Sequence, residues 1–223
     1  MSRARRQATP IAFARALALA CALCACSSAQ PTLRISSPAD GAVVHPGESL
    51  RVTVEVSPPG AFTDLMLIAG DPIGIFPEKD GPPYEYVVPI PKSITPGQYT
   101  LGVVGRPRPG LRLADTSQAF SKQITIAVER ADDPVRLAVF PTDLSLQPGE
   151  KRYLQVKGVF GDGQSLDLKL STKTIYTSDT PRVVTVEPKA VVNALAPGSA
   201  KVTVSNGKAK VEIPIVVSAP KGR

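Results

Sequence analysis

The sequence predicts an all-β protein in which two tandem β-sandwiches follow a signal peptide, and three observations support this. The chain has 223 residues, of which 23 are Pro and 17 are Gly. That density excludes a helical bundle, because proline breaks the interior of helices. Apolar and polar residues alternate along several segments with the period of a strand that buries one face. Three turn sequences also recur about 100 positions apart, which indicates two similar units.

Residues 1–25 have the layout of a signal peptide. Arg3, Arg5 and Arg6 precede an apolar run from Ala16 to Ala25, which is too short to stay in a bilayer as a permanent helix. Four of the 26 basic residues and none of the 19 acidic ones lie here, so the rest of the chain has a net charge of only about +3. We therefore expect no nucleic-acid partner, because such binding needs a concentrated basic surface.

The stretch Leu23-Cys24-Ala25-Cys26-Ser27 resembles the lipobox of bacterial lipoproteins, although Cys24 stands where Ala, Ser or Gly is usual. The resemblance implies cleavage before Cys26, lipid on its sulfur, and a short tether over residues 26–32. The membrane is then a partner through this anchor, and in a Gram-negative envelope the protein would be sorted to the outer membrane. The alternative is cleavage after Ala29, which would leave the protein periplasmic or secreted.

Strands are predicted at several places in the remaining chain. Leu50, Val52, Val54 and Val56 alternate with polar residues, and so do Leu154, Val156 and Phe160. A hairpin is predicted around Asn206-Gly207, since this dipeptide favours a tight turn. The apolar residues on its two arms are Val202, Val204, Val211, Ile213, Ile215 and Val217.

The repeated turns define the predicted modules. Pro46-Gly47-Glu48 recurs as Pro148-Gly149-Glu150, and Pro96-Gly97 recurs as Pro197-Gly198. A spacing of about 100 residues is the usual size of an immunoglobulin-like sandwich. We expect modules over residues 33–129 and 133–218, with the boundary in the charged stretch that ends at Pro134 and a tail over 219–223.

The second module resembles the bacterial immunoglobulin-like domain, group 2. The resemblance covers residues 133–218 and is carried by residues 135–141, 146–149, 156–163, 176–181 and 183–186, and most specifically by 194–204. It implies a β-sandwich of the kind found on bacterial surface and envelope proteins, adhesins among them, where it often acts as a spacer. Lys189-Ala190 replaces the usual glycine of one turn, so we expect that hairpin to be altered. The first module resembles immunoglobulin-like or fibronectin-like bacterial domains only loosely, through residues 37–41 and 95–99.

The residues that catalysis requires are sparse. His45 is the single histidine of the chain, and it directly precedes a Pro-Gly turn, so we expect an exposed turn residue. A Ser-His-Asp triad needs an imidazole placed beside its nucleophile, and one histidine cannot form a typical zinc cluster. The acidic pairs Asp132/Asp133 and Asp162/Asp167 lack the dense ligand repeat of a calcium loop. We expect no enzymatic activity, no cofactor and no metal. Tyr99 is expected to brace its strand as a tyrosine corner does.

A candidate binding loop comes from the place where the modules stop matching. The first module inserts Gly105 to Ala119, whereas the second needs only a tight turn. The loop carries three cations and two leucines that suit an anionic polysaccharide, lipid head group or acidic protein, namely Arg106, Arg108, Leu111, Arg112 and Leu113. The alternative is a solvated, Pro-stiffened loop whose leucines pack against the sandwich.

Two functions follow from these observations. The first is a non-enzymatic, envelope-anchored lipoprotein acting in adhesion, binding or scaffolding at the bacterial cell surface. The second is a carbohydrate-binding or accessory subunit of a separate exported enzyme. The absence of Trp argues against the second, because sugars stack on aromatic faces. The identity of the partner and the oligomeric state stay open.

Overall fold

The computed structural model describes residues 30–219, apart from the side chain of Gln118. The signal peptide, Cys26 and most of the tether lie outside these residues, as does the tail beyond Ala219. The first half of the described chain contains a short 3-10 helix, η1 (Thr116–Ala119), and eight strands. These are β1 (Thr32–Ser37), β2 (Ala42–Val44), β3 (Ser49–Ser57), β4 (Phe62–Ala69), β5 (Ile75–Lys79), β6 (Glu85–Pro89), β7 (Gly97–Pro107) and β8 (Ile124–Val128).

The second half of the described chain contains ten strands. They are β9 (Arg136–Phe140), β10 (Leu144–Leu146), β11 (Lys151–Tyr153), β12 (Gln155–Val159), β13 (Ser165–Asp167), β14 (Thr174–Ser178), β15 (Val184–Glu187), β16 (Val191–Ala194), β17 (Gly198–Asn206) and β18 (Ala209–Val217). The structure is therefore nearly all β, as the sequence predicted.

The first module is a two-layer sandwich. One layer has the strand order β1-β3-β6 and the other β2-β8-β7-β4-β5, with β2 parallel to β8. The predicted strand at Leu50 to Val56 is β3, where Val52 and Val54 are buried while Arg51 and Glu55 are exposed. The alternation works because successive side chains of a strand point to opposite faces.

The second module repeats this plan. Its layer β10-β18-β17-β14 begins, like its counterpart, with a short strand parallel to the last strand of the module. The remaining strands form two three-stranded sheets, with the strand orders β11-β16-β15 and β13-β12-β9. The buried apolar residues form two separate clusters, one within residues 33–128 and one within 137–217. Two tandem sandwiches are thus confirmed.

The repeated Pro-Gly-Glu sequence makes the same turn twice. The glycine of the turn at 46–48 has φ 86° and that of the turn at 148–150 has φ 89°, a region that favours glycine. In each turn the Glu side chain accepts a hydrogen bond from the amide of the residue before the proline, at 2.9 Å and 3.0 Å. Each glycine amide also donates to a backbone carbonyl, Gly47 to Ile90 at 2.9 Å and Gly149 to Ala194 at 2.8 Å. The equal spacing of these turns reflects equal structure.

The last hairpin differs from the sequence prediction by one position. Asn206 pairs with Ala209, so the two loop residues are Gly207 and Lys208 rather than Asn206 and Gly207. Gly207 takes positive φ (54°) at the first loop position, where type II′ turns also place glycine. The side chain of Asn206 is instead buried, and its Nδ2 donates to the hydroxyls of Ser171 and Thr174.

The turn without glycine is also unusual. Lys189 and Ala190 join β15 to β16 and have φ 70° and 62°, both in the left-handed region that residues with a Cβ disfavour. Lys189 and Ala190 thus adopt the positive φ that glycine favours, and a hairpin altered relative to the family stays a prediction. The expected tyrosine corner is present, since the hydroxyl of Tyr99 donates to the carbonyl of Thr95 at 2.6 Å.

Candidate functional site

The loop between β7 and η1 is shorter than the sequence indicated, because β7 continues to Pro107. Arg106 therefore lies on a strand, and its guanidinium contacts the carboxylates of Asp64 at 3.3 Å and Glu78 at 3.0 Å. Two acidic side chains of the same module thus already neutralise Arg106. The cations that remain in the loop are Arg108 and Arg112, both exposed and neither in an ion pair within the described residues.

The two leucines of this loop are partly buried, as in the alternative of leucines that pack against the sandwich. Leu111 packs against the first core cluster, and Leu113 is half-buried. The loop folds back because the amide of Leu111 donates to the carbonyl of Arg108 at 3.0 Å. Residues 108–115 therefore present two arginines on a short segment that is fixed to the sandwich by its own apolar side chain.

This loop lies at the end of the first module where β1 begins, which we call the N-terminal pole. The amide of Arg108 donates to the carbonyl of Ala61, in the turn that follows β3, at 3.0 Å. The last residue of β3, Ser57, pairs with Thr32 at the start of β1. The arginine loop and the start of β1 are consequently at the same end of the sandwich.

The opposite end of the first module meets the second module through a buried glutamate. Glu129 is only 3% exposed, although glutamate is almost never fully buried without a partner. One of its carboxyl oxygens accepts from the hydroxyl of Ser171 at 2.7 Å, and the other accepts from the amide and hydroxyl of Thr172 at 2.6 Å and 3.0 Å. We call this set of contacts the Glu129 clasp. The carboxylate of Glu129 in the first module thus accepts three hydrogen bonds from the second module. These bonds satisfy a group that would be costly to bury alone.

The backbone of Glu129 is held just as firmly. Its amide donates to the carbonyl of Val44 at 3.0 Å, and its carbonyl accepts from Nδ1 of His45 at 2.6 Å. His45 is therefore half-buried against the junction rather than an exposed turn residue, which corrects the expectation from sequence. Close packing accompanies the polar contacts, because a Cβ at Gly97 would lie 3.2 Å from the Cβ of Leu170.

The junction segment itself contacts the second module through Arg130, whose guanidinium donates to Asp132 at 2.7 Å and to Asp162 of the second module at 3.0 Å. It also lies 4.4 Å from the ring centre of Phe160, in cation–π geometry. The guanidinium lowers the pKa of Asp132, while the amide of Gln164 and then the guanidinium lower the pKa of Asp162. Two of the acidic residues considered for calcium therefore serve as partners of an arginine.

A groove of 770 Å³ runs along the junction, and we call it the junction groove. One wall belongs to β7 and β8 of the first module, the other to β14 and the β15–β16 turn of the second, and residues 170–172 lie between them. Its side chains are mixed in character. The lining residues include Gln98, Thr100, Thr125, Leu170, Ile175 and Lys189.

Within residues 30–219, no group of three His, Cys, Asp or Glu side chains is placed to hold a metal ion. Over the same range, no helix is long and apolar enough to cross a membrane.

Both modules match models of bacterial immunoglobulin-like domains. Residues 31–103 match a model described as a bacterial Ig domain, and residues 172–219 match one described as a bacterial Ig-like domain. The first match covers most of the first module, for which the sequence showed only a loose resemblance through two short segments. No curated protein matches the chain.

Solved structures of related architecture include the fibronectin(III)-like modules of Clostridium thermocellum CbhA. They are 15% identical, with 86% of this chain and 98% of that chain covered and a TM-score of 0.36. Domains 1–6 of the surface-layer protein SbsC are 19% identical, with 87% of this chain covered and a TM-score of 0.35. This chain spans 28% of that SbsC structure. Domains 4 and 5 of SbsC are 18% identical, with 85% and 98% covered and a TM-score of 0.34.

Domains of this class are typically non-catalytic, and they are typical of surface or extracellular proteins. The matches in both halves, together with the two sandwiches, identify the chain as one that contains bacterial immunoglobulin-like domains.

Proposed function

We propose that this protein is an exported, non-enzymatic lipoprotein that holds its second module at a fixed distance from the cell envelope, where it acts in adhesion, binding or scaffolding. The observation that carries the proposal is the Glu129 clasp at the end of the first module opposite the N-terminal pole. β7 runs between these two ends, from Gly97 beside the clasp to Pro107 beside the arginine loop, over about 33 Å. A rigid joint at the far end suits a spacer.

The lipid anchor would place the N-terminal pole against the membrane. The chain between Cys26 and Leu33 spans at most ~25 Å, even when the six intervening residues are fully extended. Arg108 and Arg112 would then face the head groups, where a few cations reinforce a lipid anchor. This gives the predicted binding loop an anionic partner that lies within reach.

Anchoring is tested by comparing Cys26→Ala with Cys24→Ala in the native host. We expect Cys26→Ala to lose lipid incorporation and to leave the membrane fraction, because the acceptor sulfur is gone. Cys24→Ala is the matched control and should keep both properties. The anchor is disproved if Cys26→Ala stays in the membrane fraction with unchanged processing.

The spacer role is tested by measuring the distance between the modules. With Cys21, Cys24 and Cys26 replaced by Ala, spin labels can be attached at Val87→Cys and Val216→Cys, both of which replace exposed residues. We expect one narrow distance distribution in the parent chain and a broad one after Glu129→Ala. A broad distribution in the parent chain would contradict a rigid joint.

One observation favours the carbohydrate-binding function as a second candidate. Phe140 and Tyr153 are 65% and 73% exposed. Phe140 pairs with Gln155, and Tyr153 lies two positions before Gln155 in the chain. Exposed aromatic rings are the surfaces on which sugar rings stack. Glycan binding that is lost in Phe140→Ala and Tyr153→Ala but kept in Val216→Ala would support this function.

A further inference from the structure

The edge of the second module at β14 differs from the other sheet edges of the described chain. Edge strands present unpaired backbone groups, and proteins usually protect them with charge, proline or shortness. Of the edge strands with five or more residues, β1 carries Arg34, β5 carries Pro77, β6 carries Glu85 and β9 carries Arg136. β14 has the sequence TIYTS and carries neither a charge nor a proline.

The backbone of β14 has hydrogen-bonding groups on its outer side. β14 is the last strand of its sheet and pairs only with β17. The amide of Asp179 donates to the carbonyl of Lys201 at 3.0 Å, which fixes the alternation of bonded and non-bonded pairs along the two strands. Ile175 and Thr177 therefore bond to β17, whereas the amide and carbonyl of Tyr176 point away from it.

The junction groove lies on this outer side. Tyr176 and Ile175 line it, and Ile175 is 61% exposed. Its volume of 770 Å³ is within the usual range of about 300–1,000 Å³ for ligand sites, and its position between two modules is a common one for such sites. The Glu129 clasp joins the two walls, so the site exists before a ligand arrives.

The side chains of the groove specify which strand would fit. Leu170 and Ile175 offer apolar surface for an aliphatic side chain, while Thr100 and Thr125 on the first module offer hydroxyls. Three charged residues line the groove, namely Lys169, Glu187 and Lys189. Lys169 pairs with Asp167 and Glu187 pairs with Lys151, whereas Lys189 makes no ion pair within residues 30–219. A carboxylate is the group that complements Lys189.

We propose that β14 accepts an extended peptide segment of a partner protein, with an aliphatic and an acidic side chain, as an added strand in the junction groove. Main-chain hydrogen bonds to Tyr176 would give the affinity, and Ile175 and Lys189 would give the selectivity. This names the partner class for the binding role proposed above, but it does not depend on the lipid anchor.

The experiment uses the full chain with Cys21, Cys24 and Cys26 replaced by Ala, so that anchoring is absent and cannot affect the result. Ile175→Cys then provides the single thiol. The probe is a peptide of about six residues that alternates threonine and valine, contains one cysteine and ends in glutamate. Its control is the same peptide with an N-methyl group on the amide that would pair with Tyr176. The matched protein control is Ile75→Cys, an equally exposed isoleucine on the proline-containing edge strand β5.

At a fixed thiol–disulfide ratio, we expect Ile175→Cys to capture the unmethylated peptide roughly tenfold more than the methylated one, and Ile75→Cys to capture both equally. Hydrogen exchange at the Tyr176 amide should slow in the first complex only. Lys189→Glu should reduce capture of this peptide but not of one ending in glutamine. Equal capture of the two peptides at Ile175→Cys, or an unchanged Tyr176 exchange rate in the tethered complex, would overturn the proposal.

Discussion

The residue that follows the last strand makes the same backbone hydrogen bond in both modules, but its side chain differs. The amide of Glu129 donates to Val44 at 3.0 Å, and the amide of Ser218 donates to Leu146 at 2.9 Å, so the backbones are equivalent. Glu129 is buried by donors of the next module, whereas Ser218 is exposed. The comparison shows that one backbone geometry carries a buried side chain in one module and an exposed side chain in the other.

The largest expected effect comes from removing that side chain. Glu129→Ala should lower the free energy that couples unfolding of the two modules by about 2–3 kcal/mol, because the donors of Ser171 and Thr172 would be buried without an acceptor. Urea unfolding with hydrogen exchange in each module measures this. Ser218→Ala is the matched control and should change stability by less than about 0.5 kcal/mol. Similar losses in the two variants would contradict the special role of Glu129.

The equivalence of the cores is tested by one pair of substitutions. Val204 is 0% exposed, and Val103 occupies the matching position of the first module at 2% exposed. Each change to Ala should cost about 2 kcal/mol through lost burial and a small cavity. Each should destabilise its own module, as followed by hydrogen exchange. If Val204→Ala lowered protection in both modules equally, the cores would not be independent.

A gain in stability is expected in the hairpin that has no counterpart in the first module. Lys189→Gly should stabilise the second module by about 1 kcal/mol, because glycine has no Cβ to strain at φ 70°. The thermal midpoint of unfolding would rise accordingly. Lys208→Gly, in the neighbouring hairpin at a residue without positive φ, is the control and should not stabilise. A lower midpoint for Lys189→Gly would disagree with the left-handed geometry.

The smallest effect concerns Arg130. Its contact with Phe160 is worth about 0.5–1 kcal/mol and does not depend on pH. The lowered pKa of Asp132 means that the folded state favours the charged carboxylate. Its contribution is therefore present at neutral pH and is lost as the pH falls through that lowered pKa. The destabilisation caused by Arg130→Ala should accordingly shrink in acid, measured as unfolding free energy against pH. If the destabilisation caused by Arg130→Ala did not depend on pH, the contact with Phe160 alone would account for it.

Much of the fold was predictable because it depends on local rules. The alternation from Leu50 to Val56 predicted β3, and the Pro-Gly-Glu repeats predicted two equal turns. The tyrosine corner at Tyr99 followed from its position near the start of a strand. The candidate site was predicted less well. Arg106 looked like a loop cation, but β7 extends past it and Asp64 and Glu78 neutralise it.

The sequence by itself determined the strand periodicity, the turns that require glycine and the division into two similar units, because each depends on residues close together in the chain. Only the tertiary structure decided that Glu129 joins the modules, since its partners lie more than 40 positions away. The same holds for Asn206. The preference of Asn-Gly for tight turns predicted it in a loop, whereas in the structure it belongs to β17 and its side chain donates to the hydroxyls of Ser171 and Thr174. A side chain whose energy depends on distant partners cannot be assigned from its neighbours in sequence, because burial and hydrogen bonding are set by the packed fold.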